Sequence, residues 1–295
     1  MISFADAIEQ TLLEQDSPLV TDYDVFLTAC GLFQTRLYKA TPIKRLPLDW
    51  DVLRSRGMIR KLVNRQTLAS DQDFRSGVWR LVQSTRVADA GEAACIADPF
   101  CYVSHLSAMN RYGLTDRTPK ELHITRPARQ LWNSLRDAKV EKEAPPRHFE
   151  DAKSLLLHFG LGEALRRRPV AVHETKYPAR ATIVRGQKTR VADIGATFVD
   201  MLEAPHLCGG MQHVLDVWEA HARNWIDKIL DATDAAPSGI TKVRAGYILS
   251  ERMGVAGTRV DAWRAFAQRG GSRKLDPGAE YRPVFSDIWM ISLNV

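Results

Sequence analysis

The sequence has few cysteines and no long apolar run. Four cysteines in a chain of 295 residues are too few and too scattered for a disulfide framework, so we expect reduced and mostly buried thiols. No stretch approaches the roughly 18–20 uninterrupted apolar residues of a membrane-spanning helix. The first residues also lack the basic, apolar and small-residue zones of a signal peptide. These absences predict a cytoplasmic globular protein with no membrane partner.

Motifs for nucleotide, nucleophile or metal chemistry are also missing. The chain contains no Walker loop, no dinucleotide-binding glycine motif, no nucleophile elbow and no C-x-x-C pair. His206, Cys208 and His213 offer three zinc-binding residue types, but they lack a fourth ligand and a spacing typical of zinc sites. We therefore predict no metal and no cofactor.

One group of carboxylates keeps an enzyme open as an alternative. Asp193, Asp200 and Glu203 are the strongest set for a metal-dependent nuclease or nucleotidyltransferase. Asp193, however, fits better as the N-cap of a helix that begins at Ile194. We accordingly predict a protein without catalytic residues.

Basic residues are absent from the first 35 residues, which carry six acids. Residues 36–65 reverse this balance with nine bases and two acids, and 101–190 carry eighteen bases and nine acids, in a chain of net charge +6. A charge run is usually a solvated face. An abrupt reversal within a short segment, however, concentrates positive potential on one side of a domain, as phosphate binding requires.

The first 88 residues follow the element order of a winged helix-turn-helix. Periodicity and capping signals predict helices at 3–14, 21–30 and 48–57 and strands at 58–63 and 77–82. By position, 48–56 is the recognition helix and the polar stretch 64–76 is the wing. A small α+β domain that only packs on its neighbour is the alternative.

The basic residues of this region are the predicted DNA contacts. They are Arg36, Lys39, Lys44, Arg45, Arg54, Arg56, Arg60, Lys61, Arg65 and Arg75. Among them, Arg54 and Arg56 are expected to discriminate sequence more than Lys39 or Lys44, because arginine can bind guanine in a bidentate manner. Five arginines further along the chain are candidates for flanking phosphate contacts: Arg126, Arg129, Arg166, Arg167 and Arg168.

Residues 89–295 are predicted to form a second domain of mixed α/β type, so the fold class is α+β. The predicted helices are 87–98, 102–112, 129–138, 194–203, 210–230, 241–253 and 258–268. The predicted strands are 121–125, 170–174, 181–184, 188–192 and 288–294, and 140–147 is predicted to be a loop.

Four segments of this second domain together resemble one family. They are YVSHLSAMNRYGLT (102–115), VADIGATFVDMLEAPHLCGG (191–210), KVRAGYILSERMG (242–254) and LDPGAEYRPVFSDIWMISLNV (275–295). Their order and content are similar to the AbiEi-type antitoxins, transcriptional regulators of type IV toxin–antitoxin pairs in abortive phage infection. The resemblance covers about 70 residues of the chain.

The resemblance implies a DNA-binding autorepressor. The winged helix would bind the operator of its own operon, and the C-terminal domain would supply antitoxin activity. The functional partner would be a nucleotidyltransferase-type toxin, opposed without a stable complex. An antitoxin that binds the toxin directly and a stand-alone DNA-binding regulator are the alternatives, and self-association is left open.

Overall fold

A computed structural model describes residues 1–158, 160–268 and 273–295, and the chain forms two compact units. The first comprises Met1–Tyr102, Ile124–Lys176 and Ile183–Arg190, and the second comprises Val103–His123, Tyr177–Thr182 and Val191–Val295. The first unit therefore extends beyond residue 88, where the sequence predicted a domain boundary, because it includes segments from much later in the chain.

Helices and strands are mixed along the chain, as the predicted α+β class requires. The helices are α1 (Phe4–Glu14), α2 (Asp22–Thr35), α3 (Val52–Asn64), α4 (Ala90–Ala97), α5 (His105–Arg111), α6 (Arg129–Glu143), α7 (Phe149–Leu155), α8 (Ile194–Glu203), α9 (Met211–His221), α10 (Ile226–Ala235), α11 (Gly239–Tyr247) and α12 (Thr258–Ala262). In the part of the chain that the structure describes, no helix is both long and apolar enough to span a bilayer.

The strands are short. They are β1 (Ile2–Ser3), β2 (Leu19–Thr21), β3 (Leu37–Tyr38), β4 (Thr41–Lys44), β5 (Leu68–Ser70), β6 (Val78–Leu81), β7 (Tyr102–Val103), β8 (Leu122–Pro127), β9 (Ala164–Leu165), β10 (Arg168–Thr175), β11 (Ala181–Ile183), β12 (Arg190–Ala192), β13 (Phe285–Ser286) and β14 (Ile291–Ser292). The strands between residues 102 and 192 form a six-stranded sheet in the order β11-β12-β7-β8-β10-β9.

Two small sheets accompany the first three helices. One has the order β2-β6-β5 with antiparallel pairing, in which Val20 lies opposite Trp79 and Ala69 opposite Arg80. The other has the order β1-β4-β3, with β1 parallel to β4. The sequence predicted β6, as part of the strand 77–82, but none of β1 to β5, which have two to four residues each.

The third helix differs from its prediction. Residues 58–63, predicted as a strand, are helical, because Ser55, Ile59 and Leu62 repeat at helical spacing and are buried. Gly57 does not end the helix, since its φ is not in the left-handed region that a terminating glycine adopts. The hairpin that follows therefore has a shorter tip, residues 71–77, than the predicted wing.

The core of the first unit joins these helices to α6 and α7. Trp50 is buried, with its ring 5.3 Å from that of Phe4 in a T-shaped contact and 6.4 Å from that of Phe26. Trp132 of α6 and Leu155 of α7 belong to the same hydrophobic cluster. Part of the predicted loop 140–147 is wrong, because α6 continues through Glu143.

The second unit contains α5 and α8 to α12. The helix predicted at 194–203 is confirmed as α8, whereas the helix predicted at 210–230 is divided into α9 and α10 by a 3-10 turn at Ala222–Trp225. Gly195 lies where α8 meets α10: a Cβ atom there would be 2.2 Å from the Lys228 carbonyl oxygen and 3.1 Å from the Ala232 Cβ. The two helix backbones therefore touch at a position that only glycine fits.

We predict that Gly195→Ala destabilises the protein by about 1–3 kcal/mol, because the added methyl group must push the two helices apart. Gly31→Ala is the control, since Gly31 lies in α2 with no heavy atom within 4 Å of its Cβ position. That substitution should raise stability by about 1 kcal/mol through helix propensity. Urea unfolding of the full chain measures both, and similar stabilities for the two variants would contradict the close contact.

Candidate nucleic-acid interface

An N-cap at its first turn and the packing of its buried face hold helix α3 in place. The Asp51 carboxylate accepts a hydrogen bond from the backbone N–H of Arg54 at 2.8 Å, which makes Asp51 the N-cap. Ser55, Ile59 and Leu62 are buried, and the last two belong to the hydrophobic cluster of the first unit. The opposite face of α3 is consequently turned to solvent.

Cations dominate that outer face. Arg54, Arg56, Arg60 and Lys61 are all exposed. Arg54 lies 3.9 Å from the Asp51 carboxylate in an ion pair that is about half exposed, and such pairs contribute little. Within residues 1–158, 160–268 and 273–295, the side chains of Arg56, Arg60 and Lys61 form no hydrogen bond or ion pair. Three uncompensated charges thus lie on one side of α3.

Two of the predicted DNA-contact residues instead form ion pairs with the acidic N-terminal segment. Lys39 forms an ion pair with Glu14 at 2.6 Å, and this hydrogen bond lowers the pKa of Glu14. Arg65 forms an ion pair with Asp6 at 2.7 Å and lies 3.7 Å from Glu9. The predicted charge reversal is therefore partly neutralised inside the fold.

The short hairpin between α2 and α3 carries further bases. Arg36, Lys44 and Arg45 are exposed at the ends of β3 and β4, and none of them has a charged partner among the described residues. Arg36 and Arg45 both have φ of 57°. These three side chains are accessible to an anionic partner.

Arg166, a candidate phosphate contact, is bound to the tip of the β5–β6 hairpin. Its guanidinium forms an ion pair with Asp71 at 2.8 Å and a second with Asp73, and its backbone N–H donates to Asp73 at 2.8 Å. The Asp71 side chain is only 4% exposed. Arg166 thereby fixes the tip, and Arg75 projects from the same tip as an exposed side chain.

The other four arginines predicted to contact flanking phosphates lie in different environments. Arg126 forms an ion pair with Glu174 at 2.9 Å, and Arg129 is exposed and donates to the ring of His158 at 3.4 Å. Arg167 is exposed and Arg168 is half-buried. All of them belong to the same compact unit as α3.

One base that the sequence analysis did not select is Arg80. It is exposed on β6 and forms no ion pair within the described part of the chain. It lies opposite Ala69 of β5 and is thus on the hairpin that the sequence predicted as a wing. Its signal in the sequence is that of a single base within the predicted strand 77–82.

The carboxylates considered for an enzyme have separate partners. Asp193 accepts from the Ala196 N–H at 2.8 Å, which confirms it as the N-cap of α8. Asp200 is half-buried and accepts from the backbone N–H of His105 at 3.4 Å, while Glu203 accepts from the Thr241 hydroxyl at 3.1 Å. Burial raises the pKa of Asp200 to about 7.

Of the residues considered for zinc, His206 and Cys208 lie in a 3-10 turn and His213 lies in α9. The His213 Nε2 atom lies at hydrogen-bond distance, 2.9 Å, from the Thr115 hydroxyl, and Cys208 is buried. The carbonyl of Gly209 accepts from Arg117 at 2.8 Å, and burial lowers the pKa of His213, as does Arg117. Nowhere in the described residues do three His, Cys, Asp or Glu side chains group as metal ligands.

Comparison with known proteins gives a distant structural likeness. No family model matches the chain, and no curated protein matches it. Among solved structures, it is similar to the crystal structure of RV2827C protein from Mycobacterium tuberculosis, with a TM-score of 0.49 and 13% identity over 98% of this chain and 90% of that chain. The assignment of a site therefore depends on the geometry of this chain.

Asp200 predicts a specific pH dependence of stability. Its folded pKa of about 7 lies above the ordinary value of 3.8, so the stability it contributes is complete below the ordinary value and is lost as the pH rises through 7. Asp200→Asn keeps the shape of the protonated side chain but has no carboxyl group that could ionise. Between pH 5 and pH 8, wild type should lose roughly 1–3 kcal/mol more unfolding free energy than the variant. Urea unfolding of both proteins across this pH range measures the difference. If the unfolding free energies of wild type and variant change with pH in parallel, the prediction is wrong.

Proposed function

We propose that residues from α1 to β6 form a winged helix-turn-helix that binds duplex DNA through α3. The order α1, β2, α2, α3, β5, β6, in which the short hairpin β3–β4 is inserted between α2 and α3, and the sheet order β2-β6-β5 support this assignment. The observation that carries it is the outer face of α3, where Arg56, Arg60 and Lys61 have no partner among the described residues. Uncompensated cations on a rigid helix are suited to a polyanion.

The β5–β6 hairpin is the proposed wing. Its tip is held by the Arg166 ion pairs, so that the exposed side chain of Arg75 extends from a fixed backbone. Arg80 adds a second exposed cation on β6. We propose that both contact DNA phosphates beside the groove that α3 enters, as wings do in this class of domain.

The biological role is proposed from the resemblance. The four segments that resemble AbiEi-type antitoxins fall in the second compact unit, apart from Tyr102. We propose that the protein is an autorepressor of a type IV toxin–antitoxin operon, acting in the cytoplasm. The second unit would supply antitoxin activity against a nucleotidyltransferase-type toxin.

The first test compares two double variants in which the same amount of charge is removed. Arg56→Gln with Lys61→Gln removes two unpaired cations of α3, whereas Lys39→Gln with Arg65→Gln removes two cations that are already paired with acids. The slope of log K against log salt should become shallower by about 0.9 for each phosphate that is no longer neutralised, and only for the α3 pair. Fluorescence anisotropy of the full chain with duplex DNA from upstream of its own coding sequence measures this. Equal changes for both pairs would contradict a role for α3.

The second test concerns antitoxicity. Co-expression of the full chain with a nucleotidyltransferase-type toxin encoded beside it should restore growth, without co-purification of the two proteins. The α3 double variant should restore growth equally, because antitoxicity is assigned to the other unit. Stoichiometric co-purification would instead support direct neutralisation, and folded protein without rescue would support a stand-alone regulator.

A further inference from the structure

We infer that the central stripe of α3, formed by Leu53, Gly57 and Arg60, reads the DNA bases, and that Leu53 contacts the methyl group of a thymine. This inference rests on the proposed DNA-binding function. It assigns sequence selectivity to residues other than Arg54 and Arg56, which the sequence analysis favoured.

Helix geometry identifies the stripe. Successive residues of an α-helix are rotated by about 100°, so Leu53 points directly away from the buried Leu62. Gly57 and Arg60 lie within about 40° of Leu53, whereas Arg56 lies about 60° to one side and Lys61 about 80° to the other. A helix that enters a groove with its inner face in the core therefore presents the stripe to the bases. The two flanking cations face the sugar–phosphate backbones.

Leu53 is the apolar member of this stripe. It lies in the first turn of α3 and is 74% exposed. Residues near the N-terminus of a recognition helix are those that reach base edges. The thymine C5-methyl group is the apolar feature of the major groove, and apolar side chains contact it. A single exposed leucine is ordinary on a protein surface, so a second observation is required.

Gly57 supplies that observation. It lies one turn after Leu53, and no heavy atom is within 4 Å of its Cβ position. Packing within the fold therefore does not require glycine there, and glycine lowers helix stability relative to alanine. A glycine does allow the helix backbone to approach another molecule closely. Its position between Leu53 and Arg60 allows both side chains to reach the floor of the groove.

Arg60 completes the set of base contacts. It is exposed and has no hydrogen bond or ion pair within the described ranges, so its guanidinium is available. A bidentate arginine–guanine contact is the commonest specific contact in the major groove. Arg56, on the flank, is assigned to phosphate and should carry no base preference.

Thymine-to-uracil replacements in the DNA, combined with Leu53→Ala in the protein, test the Leu53 contact. The probe is duplex DNA from upstream of the protein's own coding sequence, with each thymine of the protected site replaced in turn by deoxyuridine, which removes only the methyl group. For wild type, one replacement should weaken binding about fourfold, the effect of exposing one buried methyl group. For Leu53→Ala, the same replacement should have no effect.

Glycine and arginine variants test the remainder of the stripe. Gly57→Ala should weaken binding at least tenfold while raising the thermal midpoint as the control Gly31→Ala does, which separates a DNA clash from misfolding. Arg60→Ala should reduce the preference for the upstream duplex over a scrambled one by tenfold or more. Arg56→Ala should weaken binding to both duplexes equally.

Two outcomes separate the inference from the function on which it rests. If wild type binds the upstream duplex and every uracil replacement affects wild type and Leu53→Ala alike, the inference is wrong and the DNA-binding function stands. If wild type shows no binding to the upstream duplex or to random duplex DNA at low salt, the proposed function is wrong, and the inference with it.

Discussion

The burial of Ile59 and Leu62 determines how α3 is presented to solvent. Both side chains are almost fully buried, and burial of such a side chain stabilises a fold by roughly 1.5–3 kcal/mol. A rotation of α3 by one residue would replace them in the core with Arg60 and with Val63, leaving a buried charge without a partner, which costs several kcal/mol. The cationic outer face is therefore a consequence of the apolar inner face.

Internal ion pairs decide which of the cations remain available. The acidic segment at the N-terminus neutralises Lys39 and Arg65 through Glu14 and Asp6, and it leaves Arg56, Arg60 and Lys61 unpaired within the described residues. The unpaired cations of residues 36–65 thus lie in two groups, on the outer face of α3 and on the β3–β4 hairpin, rather than evenly along the segment. A focused potential attracts a polyanion more strongly than the same charge dispersed over several faces.

The sequence predicted those features that depend on local chemistry. Helix α8 was predicted at its observed bounds because Asp193 caps it and Pro205 follows it. Gly57 was misleading, because glycine often ends helices but does so through a left-handed backbone that Gly57 does not adopt. The contact of Arg166 with Asp71 joins residues 95 positions apart, and no local pattern encodes such a pair.

The residues proposed to bind DNA lower the stability of the free protein. Mutual repulsion of Arg56, Arg60 and Lys61 and the interior Gly57 both disfavour α3, and the Asp51 cap and the buried inner face offset them. A bound phosphate backbone would neutralise the repulsion, and a groove would cover Leu53. A ligand that binds only the folded state stabilises it by mass action. Bound DNA would therefore offset the loss of stability that this face of α3 causes in the free protein. Under the proposed function, the features that disfavour α3 in the free protein are thus the same ones that would bind DNA.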